Sequence, residues 1–249
     1  MHFHLPKPMH GWRELLGEVA IIVIGVLIAL GAQQVVEALN DRRMADQTRA
    51  AIKEEFNDNL TGLTLRAKAE PCILRRLGEL RQIVTAWQKT GRFVAPLWVA
   101  QAPELDVELS RYDAAVSAGR LTGLPSAEQY QIGSIAHDFR FFGQIQQQER
   151  PVWGRLRALQ AGPEALSATD RTMILTALQD AATLDYQARI AVRQALPFAK
   201  DAGYAPDFTQ FNRTVKRAWT GGEFTPSICS PIDTPPDEAN RTQVTPIPL

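Results

Sequence analysis

Few side chains in this sequence are equipped for chemistry. Only one histidine, His137, lies beyond the first ten residues, and Asp138 follows it directly. A histidine beside a carboxylate is the usual equipment for moving a proton. Neighbours on a helix project about 100° apart, so the two do not face each other, and His137 reads as a surface or capping residue. Glu54, Glu55 and Asp58 offer the oxygen ligands that a divalent cation takes, yet on a charged helix they read as a solvated face. Arg75, Arg76 and Arg81 would suit an anionic headgroup, again with surface solvation as the plainer reading. His2, His4 and His10 would suit a metal, and otherwise form a flexible terminus.

Motifs that fix an activity are missing from the sequence. There is no glycine-rich phosphate loop, no His-Glu-x-x-His, no Cys-x-x-Cys and no Gly-x-Ser-x-Gly elbow. No residue is assigned a catalytic, cofactor-binding or metal-binding role, and no cofactor is expected. Lys plus Arg and Asp plus Glu are equal, 27 each. This balance argues against nucleic acid as a partner, because phosphate binding needs surplus positive charge. Cys72 and Cys229 are the only cysteines. They allow one disulfide in an oxidising compartment, or are two unrelated buried thiols.

The strongest signal lies in the element that must position everything else. Residues 19–36 carry no formal charge, and Ile21, Ile22, Val23, Ile24, Val26 and Ile28 coat every side of a helix there. Its length of ~27 Å approaches a hydrocarbon core of about 30 Å. A surface helix would show a polar face. The segment is therefore expected to span a membrane rather than to be cleaved after "ALGA" (residues 29–32), since Glu14 and Glu18 flank the apolar run and helical pattern continues beyond it. Gly25, Ala29 and Ala32 make a small-residue strip that would let two such helices approach; ordinary small residues in a lone span are the alternative.

The stretch "GWRELLGEVAIIVIGVLIALGAQQVVE" resembles the start of a group of uncharacterised bacterial single-pass membrane proteins, marked by Gly-Glu-(Ile/Val) followed by "IVVIGVLIAL". The resemblance covers residues 11–37. It implies an uncleaved anchor and a bacterial source, and supplies no catalytic residues.

Beyond the span the pattern is helical. Ile52, Phe56, Leu60 and Leu63 form one stripe; Ile73, Leu77, Leu80, Val84 and Trp87 form another, with Pro71 opening a new helix between them and Gly91 closing it. Pro96 and Pro103 mark residues 93–103 as a loop whose Phe93 and Trp98 plug the bundle, and a short helix is expected over 104–118 with Leu105, Leu109, Tyr112 and Val116 inward. Ser126 and Ser167 have capping-box spacing to Gln129 and Asp170. The helix after Ser126 should run to about Leu159, with Tyr130, Ile135, Phe139, Phe142 and Ile145 inward and a kink or break at Pro151. An Ala-rich helix should span 169–196, and Phe208, Phe211, Val215 and Trp219 should mark a last short one. No run shows sustained period-two alternation.

The fold class is all-α: a short N-terminal segment (1–14), a transmembrane helix (15–36), a helical stalk (37–69), a helical bundle (70–221) and a disordered Pro-rich tail (222–249). The chain reads as a membrane-anchored, non-enzymatic binding or scaffold module of a bacterial inner membrane with its C-terminal domain in the periplasm. The other reading is a membrane-anchored hydrolase or metal-dependent enzyme with an unrecognised site. Expected partners are the lipid bilayer, a protein or small ligand, and a second copy through the span.

Overall fold

The computed structural model describes residues 11–209 and 227–235. Among them the regular elements are all helical, with no β-strand. Helix α1 is Trp12–Thr90, α2 is Ser110–Ser117, α3 is Ser126–Leu156 and α4 is Ala168–Asp201, with short 3-10 turns between them. One long apolar N-terminal helix thus continues directly into a helical bundle.

Helix α1 runs 79 residues without a break, about 120 Å at helical rise. Its apolar start is exposed on all sides, from Leu15 through Val36, and is long and apolar enough to cross a membrane by length and composition. Burial begins near Ala45 and Thr48. From there the two sequence stripes both become core: Ile52, Phe56, Leu60 and Leu63, then Ile73, Leu77, Leu80, Val84 and Trp87. Residues 45–69 are therefore a wall of the bundle, and no helix boundary falls at 69/70. Pro71 lies inside the helix on its exposed face. There the backbone bond that proline cannot make is missing where water has access. Gly91 ends α1 with φ 67°, donating its N–H to Trp87 O at 2.9 Å, the left-handed stop that glycine adopts without strain.

Helices α1 and α3 run parallel. Arg49 meets Glu128, the Phe56 ring meets Phe139 edge-on with centroids 5.3 Å apart, and Arg66 meets Glu149. Helix α4 returns antiparallel against both: Arg171 stacks on Trp87 at 4.6 Å, Asp185 reaches Arg66, and Ala205, just past its end, donates to Asn57. Ser167 and Asp170 form a reciprocal capping box at the start of α4. The Ser167 donors hold the Asp170 carboxyl below its usual value.

Parallel packing of α1 and α3 dictates the connection between them. The chain must descend from Thr90 to the level of Glu55, a drop of ~52 Å along α1. Residues 91–109 would reach only ~28 Å as a helix, against ~60 Å when extended. They form an extended strap. The helix expected over 104–118 therefore begins only at Ser110. In "ELDVEL", residues 104–109, Glu104, Asp106 and Glu108 face solvent while Leu105, Val107 and Leu109 face inward. This is a period-two run, contrary to the sequence reading, and six residues long.

Three smaller expectations also change. Pro125, not Ser126, precedes α3 as its cap residue, and no side-chain cap bond forms there. Tyr130 and Val116 are exposed, at 72% and 48%, whereas Ile135, Phe139, Phe142 and Ile145 are buried as expected. Pro151 sits inside α3, which continues to Leu156. Phe211, Val215 and Trp219, most of the last expected helix, lie outside the described residues, as do His2, His4, His10 and, of the tail expected over 222–249, residues 222–226 and 236–249.

Phe139 has no exposed surface and packs on Phe56. Phe139→Ala is expected to lower unfolding free energy by ~3–5 kcal/mol, and Tyr130→Ala by under about 0.5 kcal/mol, both read from urea denaturation of the full chain in detergent.

Candidate functional site

An extended strap exposes backbone donors and acceptors to the helices it crosses, and buried ones need partners. Polar side chains of α1 and α3 supply them, rung by rung. The amide of Asn59 donates to Glu108 O at 2.6 Å and accepts from Glu108 N at 3.0 Å. The Gln146 amide does the same for Leu105, at 2.8 and 2.7 Å. Each carboxamide thus imitates one rung of a β-ladder. Below them the buried Glu55 carboxylate accepts from Arg111 N at 2.7 Å and Tyr112 N at 2.9 Å, which satisfies orphan donors at the start of α2 and suits the positive end of its dipole. Higher up, Gln160 accepts from Val99 N and donates to Leu97 O.

Arg76 completes this ladder. It has no exposed surface. Its guanidinium donates to Glu79 at 2.8 Å, to Trp98 O at 2.7 Å and to Val99 O at 2.6 Å, and also to Ser230 O. Burial pulls its pKa below the ordinary guanidinium value, against the pull of Glu79. Five fixed donors make arginine able to hold several carbonyls together. The expected cluster of Arg75, Arg76 and Arg81 is thus no anion site: Arg76 is structural, Arg75 donates to Cys229 O at 2.6 Å, and Arg81 is exposed.

A second buried polar cluster ties the three long helices. Arg66, Glu149 and Asp185 are each at least 95% buried. Arg66 meets Glu149 at 2.8 Å and Asp185 at 3.3 Å; Arg189 then links Asp185 to Glu70, which also takes Arg193. Desolvation pushes the Asp185 carboxyl above its usual value while Arg66 and Arg189 pull it down. These charges interlock α1, α3 and α4.

The remaining sequence candidates do not converge. Glu54 pairs with exposed Arg111 and falls below the usual carboxylate value through that contact; Asp58, about one turn along α1, is raised by partial desolvation and by Glu54 and Asp207. With Glu55 committed to α2, the three form no cation site, and the solvated face expected for them holds only for Glu54 and Asp58. Among the described residues no three His, Cys, Asp or Glu side chains converge as metal ligands. His137 is exposed beside half-buried Asp138 in a shallow depression with Tyr130, Gly133 and Ser134; burial raises the Asp138 carboxyl and His137 lowers it. Gly25, Ala29 and Ala32 lie on the exposed start of α1. Cys72 and Cys229 are joined in a disulfide with Cα atoms 4.8 Å apart.

A groove of about 810 Å³ lies between the strap and α3. Its walls carry four carboxylates, Glu104, Asp106, Glu108 and Asp113, and two guanidiniums, Arg140 and Arg150. Arg150 pairs with Glu104 at 2.6 Å and Arg140 with Asp113, so the two arginines leave a net charge of −2 on Asp106 and Glu108. Val107 packs over Gly143 on the floor, 3.6 Å from where a Cβ would sit. The sequence signal for this groove is the "ELDVEL" alternation.

Arg66→Met is expected to cost ~3–5 kcal/mol, because two buried carboxylates lose their partner, and converting Glu149 and Asp185 to leucine in the same chain should recover most of it. Chemical denaturation of the single and triple variants measures both. The chain has no match among protein-family models, curated proteins or solved structures.

Proposed function

We propose that this protein is a single-pass anchor that holds a rigid, non-enzymatic binding or scaffold bundle at a bacterial inner membrane, with the bundle in the periplasm. One observation carries the reading: the exposed apolar rod and the wall of the bundle are one uninterrupted helix, Trp12–Thr90. A bundle joined to its span by a flexible linker could turn freely. Here roughly nine residues of helix, ~14 Å, separate Val36 from Ala45, and they fix the height and the facing of the groove above the lipid. The resemblance of residues 11–37 to bacterial anchors supports the source, and the disulfide fits an oxidising compartment.

The acidic groove is the surface presented. Its unpaired Asp106 and Glu108 suit a basic segment of a protein partner. Two measurements test the reading. The full chain should stay with membranes in alkaline carbonate and carry an active periplasmic reporter fused after Leu249; release of the chain, or a mature form starting near Ala32, overturns it. A photocrosslinker at Gln147 should give one dominant adduct in intact cells, lost on Asp106→Lys with Glu108→Lys, whereas one at Tyr186, exposed on α4, should not.

A further inference from the structure

Residues 227–235 behave as a peptide seated in a receptor. Ile228 is fully buried. Arg76 donates to the carbonyls of Ile228 and Ser230, and Arg75 to that of Cys229. Ile232 O accepts from both Leu97 N and Trp98 N at 3.1 Å. The receptor belongs to α1 and the strap, and next to its strap residues Ala100 holds φ 59° with its side chain buried, a conformation a non-glycine residue adopts only when its surroundings impose it. The covalent link to this receptor is Cys72–Cys229, whose two cysteines are each partly exposed.

We propose that the cleft of Arg75, Arg76 and strap residues 97–99 is a binding site for a short peptide folded in consecutive turns, filled in the oxidised protein by the chain's own residues 227–235, which hold a 3-10 turn at Ser227–Cys229 and a second turn closed by Thr234 N–H to Pro231 O, and vacated when a dithiol reduces Cys72–Cys229. The inference goes beyond the anchoring role, and its test on the purified, oxidised chain is read independently of the periplasmic placement. In the exchange, one thiolate of the dithiol attacks a sulfur of the bridge, and the second thiolate resolves the mixed disulfide. The dithiol leaves as its own disulfide, two electrons pass to the bridge, and two protons end on Cys72 and Cys229. Buried Ile228, half-buried Ile232 and a handful of carbonyl contacts then remain to order nine residues, and backbone ordering outweighs them. The ligand chemistry is set by the site: a run of backbone carbonyls with two branched apolar side chains four positions apart, and no charge requirement.

Amide exchange of the full chain in detergent, followed by mass spectrometry, tests this. Reduction should speed exchange in 227–235 at least about tenfold, with 93–102 following and α3 and α4 unchanged, and reoxidation should restore protection. Arg76→Met should loosen 227–235 even with the disulfide intact. In Cys72→Ser, iodoacetamide should alkylate Cys229 at the rate of a free peptide thiol. Continued protection of 227–235 after reduction, or slow alkylation, overturns the proposal because the contacts alone hold the segment. Loss of protection throughout α3 and α4 also overturns it, because the bridge would then hold the whole bundle.

Discussion

Backbone hydrogen bonding along the strap is the constraint on which the rest depends. Two parallel helices joined in sequence demand a return path of full bundle height, and only extended chain is long enough. Extended chain without a neighbouring strand leaves its N–H and C=O groups to be answered one at a time. Asn59, Gln146, Gln160 and Arg76 answer them, and Glu55 answers the free donors at the start of α2 where the strap ends. Each is a polar residue on a face that would otherwise be packed with aliphatic side chains. Losing Asn59, Gln146, Arg76 or Glu55 leaves buried donors or acceptors unpaired, at ~1–3 kcal/mol each, so these four positions tolerate little change.

That constraint organises the charges as well. Outer strap residues alternate with inner ones, which places Glu104, Asp106 and Glu108 on a single ridge facing Arg140 and Arg150 of α3. The groove is a by-product of the crossover. Opposite it, the ion network from Arg66 to Arg193 fixes the register of α4 against α1 and α3, where small residues such as Ala177, Ala181 and Ala188 bring the helices close but set no unique sliding position. Specific charge partners supply that choice.

Much of the fold was legible because it is local. The stripes of α1, the Gly91 stop, the Ser167 cap and the inward residues of α3 each follow from spacing within a few turns. What sequence reading missed is non-local. Arg76 and Glu55 carry the residue types of a solvated face, and only a strap residue 22 positions away and an α2 residue 56 positions away turn them into buried partners. Pro71 reads as a boundary, yet its exposed position lets the helix pass. Residues 104–109 did alternate, but six residues between proline-rich loop and helix fall below the length at which the period outweighs its surroundings. The parallel order of α1 and α3, which requires the strap, is a tertiary choice that no short window contains.

Finally, the disulfide changes how the molecule bears load. Cys72 and Cys229 are 157 positions apart, and the bond joins the middle of the bundle part of α1 to a segment well past the end of α4. Tension applied to the extreme C-terminus while the rod is gripped by lipid would travel through Cys229 into Cys72 and down the first part of α1. Helices α3 and α4 and the groove lie off that line. The covalent path from the rod to Cys229 thus bypasses the groove, and a pull along that path would leave the groove unloaded.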